Sequence, residues 1–136
     1  MSSPVLLDTN ALIWSLEGDG RLGGRSREIA GTALGEDLLL VSAISFWEVA
    51  MLSQRHRLAL AYPPAEWRQT ALRLGIREIP PTGDIGIRAV ELDGLPGDPA
   101  DRMITATAMA QGATLITADS RILDWTGQLT RHDARL

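Results

Sequence analysis

Leu38-Leu39-Leu40-Val41 is too short and too continuously apolar to be an amphipathic helix, and it reads as a central strand buried on both faces. Val5-Leu6-Leu7 reads as a second buried strand. Ile76-Arg77-Glu78-Ile79 alternates and stops at Pro80-Pro81, Thr114–Thr117 is a fourth strand, and a weak fifth is expected near Leu129. Between them the spacing of apolar residues predicts helices over Asn10–Leu16, Arg25–Leu34, around Phe46–Ser53, around Trp67–Leu74, around Ile85–Leu92 and over Pro99–Gln111, the last ending at Gly112. Strands separated by helices need crossover connections. That requirement predicts an α/β fold of three layers, α/β/α, with a mainly parallel sheet of about four to five strands. A single domain spanning residues 1–136 is expected. Ligands of such sheets bind outside the carboxyl ends of the strands.

Two acids stand at those ends. Asp8 follows the first strand directly, and Asp119 lies just beyond Thr117. Glu48 and Asp101, with Asp98 one turn before it, open helical segments. Each has an ordinary explanation when taken alone. Asp8 can cap the helix that follows it, and Ser45-Phe46-Trp47-Glu48 has the spacing of a capping box. In Asp98-Pro99-Ala100-Asp101, Asp98 is a natural N-cap, Pro99 a natural first helical residue, and Asp101 a first-turn acid favoured by the helix dipole. Asp119 can cap a short segment from Ser120 to Leu123.

Their shared setting argues for more. Glu28, Glu36, Glu66 and Glu91 lie on polar faces or in loops, whereas Asp8, Glu48, Asp101 and Asp119 are each embedded in apolar sequence. Carboxylates near a core must be paired, hydrogen-bonded or metal-bound. Crowded carboxylates raise one another's pKa unless a cation neutralises them, and Arg102 and Arg121 are the nearest basic residues in sequence. The chain has no cysteine and only two histidines, so an oxygen-only site points to Mg2+ or Mn2+ rather than zinc. Such ions suit metal-dependent phosphodiester hydrolysis.

Composition removes several alternatives. All 13 basic residues are arginine, which excludes Schiff-base and P-loop lysine chemistry. The absence of cysteine excludes disulfides and thiol nucleophiles. The formal charge of −4 argues against a broadly basic nucleic-acid binder but not against a nuclease whose acids are offset locally by ions. No membrane-spanning run or secretion signal is visible, so a cytoplasmic protein with no membrane partner is expected.

The stretches Leu6-Leu7-Asp8-Thr9-Asn10, Val41-Ser42-Ala43-Ile44-Ser45-Phe46-Trp47-Glu48, Asp98-Pro99-Ala100-Asp101-Arg102-Met103-Ile104 and Leu115-Ile116-Thr117-Ala118-Asp119 occur in the order found in PIN-domain ribonucleases, and the chain resembles that family over nearly its whole length. The resemblance implies a PIN-type parallel-sheet fold and Mg2+- or Mn2+-dependent cleavage of RNA. It also implies that Asp8, Glu48, Asp101 and Asp119 are the metal-site and catalytic acids. Asp98 matches the first acid of the Asp-Pro-x-Asp-Arg stretch and is read as a cap and supporting group, with Asn10 and Thr117 orienting acids by hydrogen bonding. The chain is most similar to VapC-type toxins of toxin–antitoxin pairs, which implies a cognate antitoxin and a homodimer. Related toxins often carry histidine before the Asp-Pro block, where this chain has Leu95-Pro96-Gly97.

Other readings remain open at this level: a PIN nuclease of RNA maturation or decay without an antitoxin, or a non-catalytic RNA- or protein-binding module. A phosphatase with Asp8 as nucleophile fits less well, because the dehalogenase-type motif needs a second Asp where Asn10 stands. Trp14 and Trp47 are expected in the core, with base stacking or antitoxin contact as the alternative. Arg102 is expected to contact a phosphate, orient a carboxylate or form a surface ion pair. His56 reads as a solvated helix end, His132 has no assigned role, and Gly18–Gly24 reads as a flexible connection.

Overall fold

A computed structural model describes residues 2–136. In chain order the elements are β1 (Val5–Leu7), α1 (Thr9–Leu16), α2 (Gly24–Gly35), β2 (Leu39–Ser42), α3 (Ala43–Gln54), α4 (Pro64–Leu74), β3 (Arg77–Ile79), α5 (Gly83–Val90), α6 (Pro99–Gln111), β4 (Thr114–Thr117), α7 (Ser120–Leu123) and β5 (Arg131–Asp133). The five strands form one sheet in the order β3-β2-β1-β4-β5, and every neighbouring pair is parallel.

The period-two alternation of a strand divides the core into two layers. Leu6, Leu40 and Leu115 point to one face, where Ile85, Ala89, Ile104, Ala108, Ile122 and Trp125 cover them. Val5, Leu7, Leu39, Val41 and Ile116 point to the other, against Leu12, Ala30, Val49, Trp67 and Ala71. Helices thus cover both faces, which is the expected three-layer arrangement. From β1 the chain moves one way to β2 and β3, then returns to the opposite side of β1 to add β4. The strand order therefore reverses between β1 and β4, and a crevice opens beyond their carboxyl ends.

The weak fifth strand is present at Arg131–Asp133, beyond Leu129, and pairs with β4. Its residues Arg131-His132-Asp133 are polar, which explains the faint sequence signal of an edge strand. The Gly18–Gly24 segment is less free than its glycines suggest. Gly23 N–H donates to Ala134 O at 2.8 Å and Ser26 N–H to Leu136 O at 2.9 Å, and a Cβ on Gly23 would overlap the Leu136 backbone. The segment is a docking point for the C-terminal residues. No helix of the described residues is long and apolar enough to cross a membrane.

Candidate functional site

The turn from β1 into α1 places the first carboxylate at the strand-order reversal. Asp8 is the N-cap of α1, its Oδ1 accepting the Ala11 N–H at 2.8 Å. Capping uses only that oxygen. Oδ2 accepts the Thr117 hydroxyl, at the end of β4, at 2.6 Å. Thr117 Oγ1 in turn accepts the Asp119 N–H at 3.1 Å. Asp8 is buried, and burial pushes its pKa up from 3.8 to about 6 despite these hydrogen bonds, with the charges of Glu48 and Asp119 adding to the rise.

Glu48 is no capping-box residue. Helix α3 begins at Ala43 with Ser42 as its cap, the Ser42 hydroxyl accepting the Ile44 N–H at 3.2 Å. Glu48 therefore sits inside the helix, where its Oε1 accepts a hydrogen bond from the Thr9 hydroxyl. Thr9 Oγ1 also lies 3.0 Å from Ser45 Oγ. With one proton per hydroxyl, the consistent assignment has Ser45 donating to Thr9 and Thr9 to the carboxylate. Burial raises the Glu48 pKa, Thr9 opposes the rise, and Asp98 contributes to it.

Asp98 caps α6 as its sequence suggests, its Oδ1 accepting the Asp101 N–H at 2.8 Å. Asp101 in the first turn is pushed up from 3.8 to about 7 by burial and then by the charges of Asp98, Asp119 and Glu48, with Arg121 opposing. Asp119 caps α7, its Oδ1 accepting the Arg121 N–H at 2.9 Å. The Arg121 guanidinium folds back between two acids, with Nη2 3.0 Å from Asp119 Oδ2 and 3.4 Å from Asp101 Oδ2. Its hydrogen bond holds Asp119 below the ordinary carboxylate range.

Asp8, Glu48, Asp98, Asp101 and Asp119 thus share one electrostatic environment, drawn from α1, α3, α6 and the end of β4. Among the described residues no three Asp, Glu or His side chains already stand close enough to enclose an ion. The donor set nonetheless fits a hard divalent cation. It is all oxygen, it carries excess negative charge, and a cationic guanidinium already stands between two of its members. Closing the acids on an ion requires Arg121 to withdraw. Arg121→Gln is accordingly expected to tighten Mn2+ binding about tenfold, equivalent to about 1.4 kcal/mol, as read by paramagnetic resonance titration. Weaker binding in that variant would show that the arginine supports the ion instead of competing with it.

The raised carboxylates also set a pH dependence. Between about pH 4 and 7 the folded chain keeps protons on Asp8 and Asp101 that the unfolded chain releases near 3.8, so metal-free stability falls as pH rises through that window. Asp8 alone accounts for about 2–3 kcal/mol, and Asp101, partly open to solvent and beside Arg121, adds to it. Urea unfolding in EDTA at pH 4.5 and pH 8 should show the loss; a flat or rising profile would contradict it.

The model of the family described as PIN domain matches residues 5–126. The chain belongs to the PIN-domain family. This PIN domain is 38% identical over 119 residues to Ribonuclease VapC22 of Mycobacterium tuberculosis, across 87% of this chain and 88% of that protein. Its fold is similar to a chain of a toxin–antitoxin complex from Klebsiella pneumoniae, at 25% identity and TM-score 0.62, covering 96% of this chain and 97% of the other. It is also similar to a chain of the crystal structure of VapBC2 from Rickettsia felis bound to a DNA fragment from their promoter, at 15% identity and TM-score 0.71, covering 94% and 96%.

Within this PIN domain the supporting residues differ from those expected. Thr117 bonds an acid, but Asn10 is exposed on α1 and bonds none of them among the described residues; Thr9, one position earlier, faces inward and does so. Ser45, whose spacing suggests a capping box, instead lies inside α3 with its hydroxyl against Thr9, a residue to which the sequence assigns no role. Among the described residues Arg102 contacts no carboxylate and instead donates to the carbonyl oxygens of Ala89, Val90, Leu92 and Leu95. Trp14 is buried as expected, whereas Trp47 is 56% exposed.

Proposed function

We propose that this PIN domain is a Mg2+- or Mn2+-dependent endoribonuclease of the VapC type, the cytoplasmic toxin of a toxin–antitoxin pair. The reading is supported by the electrostatic coupling among Asp8, Glu48, Asp101 and Asp119, with Asp8 at the strand-order reversal and with Asp8 and Asp101 pushed well above the ordinary carboxylate range. The relative named Ribonuclease VapC22 supports the substrate, and the similar chain of a toxin–antitoxin complex from Klebsiella pneumoniae supports an antitoxin partner. The pairing of two such chains is part of the same proposal.

Asp8, Glu48, Asp101 and Asp119 would hold the ion, which supplies Lewis-acid stabilisation of charge on the phosphate and a nucleophilic water. The protein's own contribution is positional. Thr117 and the Ala11 amide fix both oxygens of Asp8, and Thr9, held by Ser45, fixes Glu48. Asp101, raised to about 7 by burial and by the neighbouring acids while no ion is bound, would give up its proton to hold the ion. Arg121, which bridges Asp101 and Asp119, would on release from them offer a forked cation to the substrate's phosphates.

The test is incubation of a panel of structured cellular RNAs with Mg2+, with Mn2+ and with EDTA, beside a folded Asp8→Asn, Asp101→Asn chain. Cleavage that needs metal and disappears in the variant is expected. No cleavage of any RNA by a metal-loaded chain free of antitoxin would overturn the reading, as would cleavage that persists in the variant.

A further inference from the structure

Beside the acids lies an apolar hollow of about 310 Å3 between α3 and α6, lined by Ile44, Trp47, Pro99, Ala100 and Met103. Trp47 precedes Glu48 in the chain, and Pro99 and Ala100 lie between Asp98 and Asp101. On α3, Ile44, Trp47 and Glu48 have the i, i+3, i+4 spacing of one helix face, so the indole and the carboxylate are neighbours. The other three tryptophans are 2–7% exposed, and Trp47 is 56% exposed. Core packing accounts for the first three and not for Trp47.

We infer that this hollow is a nucleobase subsite, with Trp47 stacking on an unpaired base of the nucleotide next to the phosphate held at the acids. The inference rests on the ribonuclease reading and adds to it how the strand is positioned. Its chemistry follows from the lining. The five side chains carry no charge, and the only polar atom among them is the indole N–H, so the hollow recognises the face of a base rather than its edge. A strand whose phosphate is drawn to the acids through a cation must place an attached base close by, and this is the apolar surface adjoining them. The other exposed large apolar residues, Tyr62, Leu74, Ile87, Val90 and Leu136, do not line it.

Such stacking makes cleavage dependent on single-stranded RNA and tolerant of base identity at that nucleotide. The test titrates the full chain with a short single-stranded oligoribonucleotide, Ca2+ replacing Mg2+ to limit cleavage, and checks the oligomer for integrity afterwards. Tryptophan fluorescence reports on Trp47, the exposed indole. Expected are quenching on binding, a loss of affinity of about 5- to 150-fold in Trp47→Ala, and retention of most affinity in Trp47→Phe. Removing the base at one position of the oligomer should weaken wild type similarly and leave Trp47→Ala unaffected. Unchanged affinity in Trp47→Ala would overturn the subsite, as would equal abasic penalties in both chains or no binding by wild type. A Trp47→Ala chain that loses self-association but binds RNA normally would likewise overturn it and assign the hollow to a second copy of the chain. The two readings fail separately. Stacking without Mg2+-dependent cleavage removes the nuclease alone, and Asp8-dependent cleavage untouched by Trp47→Ala removes the subsite alone.

Discussion

In EDTA at pH 8, Asp8→Asn is expected to raise the melting temperature by roughly 6–12 °C, while RNA cleavage in Mg2+ falls by at least about a hundredfold. The two effects have one cause. Asp8 is ionised at pH 8 although burial holds its pKa at about 6, so the folded chain carries about 2–3 kcal/mol of unrelieved charge burial. For a chain of this size that energy corresponds to the quoted shift. Asn keeps the shape and removes the charge. Its Oδ1 still accepts the Ala11 N–H, and its amide N–H can donate to Thr117 Oγ1, which rotates to accept. The cleavage estimate is a lower bound, because losing a group that merely supports a metal ligand already costs about 10- to 100-fold. Differential scanning calorimetry and a cleavage assay on the same preparations check both halves. A destabilised Asn variant would mean that the buried Asp8 carboxylate is not a net cost to the folded chain at pH 8.

Arg102→Lys is expected to cost about 2–3 kcal/mol of stability, with the surviving folded molecules cutting RNA at close to the wild-type rate. The guanidinium donates to four backbone carbonyls, from the end of α5 at Ala89 and Val90 and from the turn at Leu92 and Leu95. Trp125 closes the same turn, its indole N–H donating to Asp93 O at 2.9 Å. A lysine ammonium has three donors and no planar fork, so it cannot serve the same acceptors in one plane. Partly buried carbonyls left without partners then incur part of the desolvation penalty. Urea denaturation gives the stability, and activity normalised to the folded fraction gives the rate. A variant of full stability with lost cleavage would return Arg102 to the phosphate-contacting role.

Sequence patterns expose the parts of this PIN domain where burial is complete. β1, β2 and β4 are apolar on both faces because helices cover both, so they stand out as continuous runs. β5 has no such run, since Arg131, His132 and Asp133 form a half-covered edge. The acids were visible through their apolar surroundings, yet capping and site membership are not exclusive. Asp8 gives one oxygen to Ala11 and the other to Thr117, and Asp119 caps α7 while binding Arg121. Glu48 shows the opposite error, a capping-box spacing undone by a helix that begins earlier, at Ala43. Trp47 could not be placed from periodicity, because α3 is apolar around most of its circumference and carries no polar face to mark the solvent side. Arg102 and Thr9 act on atoms brought close only by the tertiary fold, which spacing along the chain does not encode.

Whether the acids near the β1–β4 crevice bind a divalent ion is decided by calorimetric titration with Mn2+ at pH 6 and pH 8. Binding is expected to be tighter at pH 8 and to release protons at pH 6, where Asp8 and Asp101 are still partly protonated. It should be absent in a folded Asp8→Asn, Asp101→Asn chain. Mn2+ binding that survives in that chain, or no binding by wild type at pH 8, would rule out a metal site at these acids.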